Sequence, residues 1–370
     1  MNPKTVLIIL LSAVLPAACG RPTAVQYTVT GRDTSFADGK YMYILTYTDD
    51  AEIVIDSALI RNSSFTIRGS WHYPTEAYLY MGKGWDGVQI GDGAFFVEEG
   101  TVRTQRQGDS FRFAGTPQND LQIELQDRQA ELSQKLGSGL RYTAAMDSLL
   151  LETARRNRNA LGLLLLNDLL LRHSGEELQP LLDAYPETYR AHPALLDLHR
   201  KLANLPGDIG KPFVDISGTA PQGDTLSLSE VVRHPENRYV LLDFGALWCF
   251  PCRMDYPHLA KTYRLYRDRG FEIFGVSFDI DRKRWLEAIA TYGMTWPQVG
   301  AGFGLPPRET NAWKAYSLEG IPANYLIDCR TGRIVAKNLR AEAIGETVAS
   351  LFGEKPDAGS ASAEQGGPRE

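Results

Sequence analysis

The stretch Val240-Leu-Leu-Asp-Phe-Gly-Ala-Leu-Trp-Cys-Phe-Pro-Cys-Arg-Met-Asp-Tyr-Pro257 decides the fold of the C-terminal part of this 370-residue chain. Its apolar beginning predicts a buried strand over Tyr239–Phe244, and the residues after the motif predict a helix. Cys249 and Cys252 therefore lie where a strand ends and a helix begins. The partial positive charge of a helix N-terminus favours a thiolate, which is the species that attacks a disulfide.

The spacing of the two cysteines predicts a reversible dithiol/disulfide couple. Cys249 can attack a disulfide, and Cys252 can reach back to resolve the mixed disulfide. Pro251 suits the first helical turn, where its missing N–H is no loss. A zinc site would need a second Cys or His pair, and the sequence offers Cys329 alone. A structural disulfide would gain little from so short a loop. We therefore expect no metal and no cofactor.

Three side chains near the cysteines are candidate supporting residues. Asp243 lies inside the apolar strand, where burial would raise its pKa and let it exchange protons with Cys252. Asp255 follows the motif on the helix and is a second candidate for proton transfer. The alternative is a solvated acid whose charge the helix dipole favours. Trp248 precedes Cys249 and is expected to shield the thiolate, the alternative being a packing aromatic. We predict Asp243 to be the proton carrier.

Outside the motif, the chain divides into regions that differ in composition and in the spacing of their apolar residues. Alternating strands and helices over 208–353 predict an α/β domain with a mixed sheet. Leucines at helical spacing over 119–205 predict a helical region without chemistry of its own, whose apolar faces pack. Short β-branched and aromatic runs over 19–118 predict a small antiparallel sandwich or barrel. Residues 354–370 are rich in Ala, Ser, Gly and Pro, which predicts a disordered tail.

The first residues predict a targeting segment. Residues 1–18 have the charged start, apolar stretch and small-residue end of a secretory signal peptide. The stretch from Thr5 to Ala18 is shorter than a spanning helix needs. Cys19 directly after Ala17-Ala18 resembles a bacterial lipobox, in which the cysteine carries the lipid, although Pro16 stands where that family prefers Leu. The alternative is a plain signal peptide, and either places the chain outside the cytoplasm.

The motif segment resembles the active-site segment of the thioredoxin superfamily, and more narrowly that of TlpA-like thiol–disulfide oxidoreductases of the bacterial envelope. Gly320-Ile-Pro-Ala-Asn-Tyr-Leu-Ile-Asp328 resembles the cis-proline segment of that family. The resemblance implies that Pro322 follows a cis bond, stands beside the dithiol and accepts substrate backbone. It also matches Asp243 to the buried Asp of thioredoxin, and Asp255 to a position that TlpA-like members usually fill with Glu.

The resemblance extends to domain organisation. It implies a thioredoxin fold over 208–353. Residues 25–118 resemble a domain of unknown function that precedes such oxidoreductases in envelope lipoproteins, in the phrases Asp56-Ser-Ala58, Phe65-Thr-Ile-Arg-Gly69, Phe96-Val-Glu-Glu-Gly100 and Phe113-Ala-Gly-Thr116. We therefore expect a multidomain protein with an all-β sandwich-like domain, a helical middle region and a C-terminal α/β thioredoxin fold.

The expected function is that of an envelope-anchored thiol–disulfide oxidoreductase. Phe250-Pro251 resembles the Xaa-Pro dipeptide of reductants, which favours the reducing direction. The expected partners are protein disulfides, a membrane electron donor and, through a lipid on Cys19, a membrane on the periplasmic side of the bacterial cell envelope. The net charge of −6 argues against a nucleic-acid partner. Cytochrome c maturation, disulfide repair and sensing all use such a site, and the sequence does not choose among them.

Two alternative functions remain. The chain also resembles the broader AhpC/TSA superfamily, whose peroxidases place Pro-x₃-Thr-x₂-Cys before the helix. Here Phe244-Gly-Ala-Leu-Trp248 precedes Cys249 with neither Pro nor Thr. A thiol-dependent peroxidase is therefore the second hypothesis. In the third, the β-rich domain captures a ligand or partner and carries the redox domain with it.

Overall fold

A computed structural model describes residues 24–47, 51–82 and 87–354. Cys19, the signal-like segment 1–18 and the predicted tail beyond Glu354 lie outside the described residues. Within them the chain forms a β-rich unit, a helical region and an α/β unit in that order, which confirms the predicted fold class. Across the described ranges, no helix combines the length and the apolar character that crossing a membrane requires.

The β-rich unit is a sandwich of two four-stranded sheets, with strand orders β4-β1-β7-β8 and β3-β2-β5-β6 among the described residues. Val29 and Val102 from one sheet and Ile44 and Leu79 from the other are fully buried in one shared core. The antiparallel prediction is wrong for one pair, because β1 runs parallel to β7. Alternation reveals which side chains are buried, but it does not specify the partner strand. The strands are β1 (Val25–Arg32), β2 (Tyr41–Tyr47), β3 (Glu52–Leu59), β4 (Ser64–Trp71), β5 (Thr75–Met81), β6 (Val88–Val97), β7 (Gly100–Gln107) and β8 (Ser110–Ala114).

Buried polar groups join the sandwich to the helical region. The Asn119 side chain accepts from the Phe96 N–H at 2.9 Å and donates to the Phe96 carbonyl at 2.8 Å. The buried Glu98 carboxylate accepts from the Gln118 N–H at 2.8 Å, at the first turn of the first helix. A carboxylate at a helix N-terminus is stabilised by the helix dipole. The two units therefore meet through specific hydrogen bonds in addition to apolar packing.

Replacing Asn119 by alanine is expected to lower the free energy of unfolding by about 2–4 kcal/mol, because it leaves both buried backbone groups of Phe96 without a partner. The urea midpoint and the hydrogen exchange of β6 would measure this. The matched control is Asn204→Ala, which removes an exposed side-chain hydrogen bond and is expected to change stability by less than about 0.5 kcal/mol. Equal effects of the two substitutions would contradict the assignment.

The helical region packs around a leucine-rich core, as predicted. The third helix is buried on nearly every side, with Leu161, Leu166 and Leu169 almost fully enclosed. Phe96 from β6 enters the same core, so the helices continue the packing of the sandwich. The helices are α1 (Pro117–Leu136), α2 (Leu140–Arg156), α3 (Ala160–Leu170), α4 (Gly175–Asp183) and α5 (Pro193–Ala203).

The C-terminal unit is built on a mixed sheet, as the sequence predicts. Among the described residues this sheet has seven strands in the order β10-β9-β13-β12-β11-β14-β15. Its interior strand β11 runs parallel to β12 and antiparallel to β14. A strand enclosed on both faces reads as a continuous apolar run, as at Val240–Leu242. The elements are β9 (Ser217–Thr219), β10 (Thr225–Ser227), α6 (Leu228–Val232), β11 (Tyr239–Gly245), α7 (Phe250–Tyr266), β12 (Phe271–Ser277), α8 (Arg282–Tyr292), β13 (Gln298–Gly300), α9 (Asn311–Ala315), β14 (Ala323–Asp328), β15 (Arg333–Lys337) and α10 (Glu342–Leu351).

A buried ion pair ties the helical region to this sheet. Lys337 at the end of β15 donates to Asp208 at 2.9 Å, and both side chains are at most 5% exposed. The other oxygen of Asp208 accepts from the Gly175 N–H at 2.7 Å, where α4 begins. Asp208, in the segment between α5 and β9, therefore connects a helix of the middle region with the sheet of the C-terminal unit.

Candidate active site

The two cysteines of the motif form a disulfide at the start of α7. Cys249 is the capping residue, and its Sγ accepts a hydrogen bond from the Cys252 backbone N–H at 3.2 Å. Pro251 stands in the first helical turn. Cys252 is 1% exposed and Cys249 is 5% exposed. Sulfur at this position lies at the positive end of the helix dipole, which favours a thiolate on Cys249 in the reduced state.

Hydrogen bonds to Asp279 and to Phe278 hold the loop before the disulfide, and the exposed side chains around the disulfide are apolar. Asp279 accepts from the Leu247 N–H through both carboxylate oxygens, at 3.0 and 3.1 Å. Trp248 donates from its indole N–H to the Phe278 carbonyl at 3.4 Å. Three large apolar side chains around the disulfide are exposed: Trp248, Phe250 and Met254. These side chains make the surface around the disulfide a candidate docking surface.

The second motif lies beside the first. The Ile321–Pro322 peptide bond is cis, and the Cys249 Sγ lies 3.7 Å from the Ile321 carbonyl oxygen. The loop that precedes β14 therefore brings a backbone carbonyl and Pro322 against the disulfide. Two segments far apart in the sequence meet at one end of the sheet because β14 is the antiparallel neighbour of β11.

Asp243 is buried on β11. Burial and, to a smaller extent, the Asp255 carboxylate raise the pKa of Asp243 to about 7, against opposing effects of Arg340 and Asn324. A carboxyl group with a pKa near neutrality can accept and release a proton at physiological pH. Asp243 lies on the same face of β11 as Gly245, where a Cβ would lie 3.7 Å from the Cys252 Cβ, so the Asp243 side chain faces the start of α7 behind the cysteines.

Asp255 is buried too, so its interpretation as a solvated acid is wrong. Its Oδ1 accepts from the Ala341 N–H at 3.0 Å, and its Oδ2 lies 3.8 Å from the Arg340 Nε. Burial raises the pKa of Asp255, while the Ala341 N–H and the Arg340 guanidinium oppose that rise. The loop before α10 covers this part of α7, which the local helix pattern could not reveal.

Arg340 is the site residue that the sequence interpretation missed. Its guanidinium donates to the Pro322 carbonyl and to the Asn338 side chain, and it faces Asp255. Burial lowers the pKa of Arg340, although Asp255 and Asp243 act in the opposite direction. No local pattern marks this arginine, because its partners come from α7 and from the loop before β14.

Cys329 stands apart from the redox pair. It is a free cysteine just after β14, at the end of that strand opposite to Pro322. Burial, and next Asp328, raise the pKa of its thiol to about 12, so this cysteine is a poor nucleophile. Within the described ranges, no cluster of three or more His, Cys, Asp or Glu side chains has the arrangement of a metal site.

A disulfide at a helix start, a buried carboxyl behind it and a cis-proline beside it, on a mixed sheet, define a thiol–disulfide oxidoreductase domain of the thioredoxin fold. Residues 209–336 match the AhpC/TSA family, and residues 27–122 match the domain of unknown function DUF4369. The chain therefore carries a DUF4369 domain followed by an AhpC/TSA domain, as the resemblance implied.

The chain is also similar to individual proteins. The chain is 30% identical over 145 residues to nucleoredoxin from Danio rerio, covering 38% of this chain and 33% of that protein. It is 28% identical over 128 residues to thiol-disulfide oxidoreductase ResA from Geobacillus thermodenitrificans, covering 34% of this chain and 69% of the relative. A solved thioredoxin domain of a thiol-disulfide oxidoreductase from Bacteroides vulgatus is 33% identical and covers 39% of this chain and 96% of its own, with a TM-score of 0.35. The chain thus spans about a third of the nucleoredoxin that it matches.

Proposed function

We propose that this protein is an envelope-anchored thiol–disulfide oxidoreductase that reduces disulfides in other proteins. The observation that carries the proposal is the Cys249–Cys252 disulfide at the start of α7, with Pro322 beside it and an exposed apolar rim around it. The structure holds the oxidised state of this pair.

The proposed reaction starts from the reduced pair. The Cys249 thiolate attacks one sulfur of a substrate disulfide, the substrate S–S bond breaks, and the released substrate thiolate takes up a proton. Cys252 then loses its proton to Asp243 and attacks the Cys249 sulfur, which releases the second substrate thiolate. The substrate gains two electrons and the enzyme ends as the disulfide. A membrane electron donor of the dithiol class returns the two electrons.

The direction of the reaction is tested by the reduction potential of the Cys249/Cys252 pair. Because Phe250-Pro251 resembles the dipeptide of reductants, we expect a potential well below the value of about −180 mV typical of protein disulfide isomerase. A redox titration with glutathione or dithiothreitol mixtures would measure it. A value near about −120 mV, typical of strong oxidants, would overturn the reducing direction.

Asp243→Asn is expected to slow resolution of the mixed disulfide by roughly a hundredfold above pH 7, because it removes the base that accepts the Cys252 proton. In the unsubstituted protein the rate should rise with pH through about 7, since Asp243 is ionised only above its raised pKa. Stopped-flow measurement of resolution between pH 5 and 9 would show both effects. An unchanged pH profile in Asp243→Asn would remove Asp243 from the mechanism.

Asp255→Asn provides the matched comparison. Its carboxylate raises the pKa of Asp243, so its loss should move the midpoint of the same pH profile to lower pH while leaving the plateau rate near its normal value. The charged and polar groups that face Asp243 are Asp255 and Tyr256 from α7, Arg340 from the loop before α10 and Asn324 from β14. A loss of the plateau rate in Asp255→Asn would instead make Asp255 the proton carrier.

Membrane anchoring through a lipid on Cys19 is part of the proposal. The lipobox-like position of Cys19 after an apolar segment supports it, and acyl chains bind membranes by burying CH₂ groups. Cys19→Ser should move the protein from the membrane fraction to the soluble periplasmic fraction.

An assay with hydrogen peroxide and a thiol donor tests the rival peroxidase function. Rapid turnover of peroxide would favour that function.

A further inference from the structure

A cleft of about 1050 Å³ separates the helical region from the thioredoxin-like domain. One wall consists of α2, the end of α3 and the end of α5, and the other consists of the loop before β14 together with β15 and the residues after it. Ile321 and Pro322 are part of the lining, and the Ile321 carbonyl lies 3.7 Å from the Cys249 Sγ. The loop of Ile321 and Pro322 therefore borders both the cleft and the disulfide.

The walls of the cleft are largely apolar. Leu171 and Val335, on opposite walls, are 46% and 38% exposed. Solvent-exposed apolar side chains that face one another across a concave site mark a binding surface. The apolar lining includes Leu140, Tyr142, Met146, Leu171, Val335 and Leu339.

The charged groups of the cleft are already engaged within the chain. Lys201 pairs with Glu319 at 2.9 Å across the two walls, and Arg172 pairs with Asp147 at 2.7 Å. The remaining lysine and arginine side chains of the described lining also form ion pairs: Arg200, Lys337 and Arg340. An anionic ligand would have to displace one of these carboxylates, and a cationic ligand one of these lysine or arginine side chains, so the lining favours uncharged, apolar groups.

Direct bonds hold the two walls in place. Asn338 donates to the Leu171 carbonyl at 2.7 Å, and the Leu140 N–H and the Ser138 hydroxyl donate to Glu346 and Glu342 on α10. The cleft is therefore preformed, and a ligand that enters it does not have to order its walls.

Resting on the proposed function, we propose that the cleft binds apolar side chains of an extended polypeptide segment that flanks the substrate disulfide. The shared Ile321–Pro322 loop identifies this occupant, because a chain whose sulfur reacts at Cys249 and which continues past Pro322 would reach the cleft. The helical region thereby becomes the part of the protein that selects the substrate.

The test uses the full chain in its reduced form and three probes. The probes are a disulfide-bonded peptide with Leu, Val and Phe next to its cysteines, the same peptide with Ser and Gly there, and the small aromatic disulfide 5,5′-dithiobis(2-nitrobenzoic acid). We expect reduction of the apolar peptide to be about tenfold faster at subsaturating concentration than that of the polar peptide, since burial of one apolar side chain corresponds to about that factor. Leu171→Glu and Val335→Glu should each raise the KM for the apolar peptide until the two peptides are reduced at the same rate. Both substitutions should leave reduction of the small disulfide unchanged.

Matched controls come from exposed leucines outside the cleft. Leu196→Glu on α5 and Leu265→Glu on α7 introduce the same charge at side chains that are 55% and 60% exposed, and both should retain the peptide preference. An apolar peptide without cysteine should compete with the apolar substrate. Equal rates for the two peptides, or an unchanged preference in Leu171→Glu and Val335→Glu, would overturn the cleft proposal while the reductase function stands. Failure to reduce any of the three probes would overturn the proposed function itself. A small apolar dye that binds the cleft and that no peptide displaces would indicate a small-molecule pocket instead.

Discussion

Cys252→Ser is expected to stop turnover, by roughly a thousandfold or more, and to leave the substrate attached to Cys249 as a stable mixed disulfide. Cys249 caps α7 and is the more exposed of the two cysteines, so it should still attack, whereas no second thiol remains to release the product. Non-reducing gels and mass spectrometry of the trapped adduct would measure both effects. Cys249→Ser should lose turnover to the same extent and form no adduct.

Cys329→Ser is the matched control for these substitutions. Its thiol lies at the far end of β14 with its pKa raised to about 12 by burial, so turnover should stay within about twofold of the normal rate. In cells, the Cys252→Ser variant should yield adducts with envelope proteins. A trap that remains empty in cells while it captures peptides in vitro would contradict a protein substrate.

Lys337→Met is expected to lower the free energy of unfolding by about 3–5 kcal/mol, because it leaves the buried carboxylate of Asp208 without its cation. Both side chains are at most 5% exposed, and Asp208 also accepts a hydrogen bond from Gly175 in the helical region. Urea unfolding would measure this deficit.

Two further variants identify the source of that deficit. Asp208→Asn combined with Lys337→Met removes both charges and keeps an oxygen for Gly175, so it should recover more than half of the lost stability. Arg190→Met breaks an exposed ion pair with Glu187 and should change stability by less than about 1 kcal/mol. A double variant no more stable than Lys337→Met would show that packing of the lysine stem, and not the charge, is responsible.

The parts of the fold and site that depend on local pattern were predictable. The strand Tyr239–Gly245 and the helix after Cys249 follow from an apolar run and from the residues of the motif itself. The spacing of the two cysteines was enough to predict the disulfide couple. The cis bond at Pro322 was implied by the resemblance of its segment to the cis-proline segment of the family. The leucine spacing of the middle region likewise predicted the helices that the structure contains.

The remaining features depend on contacts between distant segments. From its position on the helix, Asp255 could be a solvated residue, but in the structure the loop that carries Arg340 covers it. The periodicity of the helix does not predict such a contact. The parallel pairing of β1 with β7 likewise could not be predicted from the alternation of apolar and polar residues, because that alternation is the same in parallel and antiparallel strands. The middle region has no chemical motif, yet its α2 and α3 form a wall of the cleft next to Pro322, because packing places them there.

The contacts of Arg340 have a consequence for the order of events during a reaction. One guanidinium bonds the carbonyl of Pro322, where a substrate would dock, and also faces Asp255, whose charge acts on Asp243. In the proposed reaction, a polypeptide docked at Pro322 would contact the same loop that Arg340 holds. Movement of that loop would move the Arg340 guanidinium relative to Asp255 and Asp243, which would couple docking at Pro322 to proton transfer.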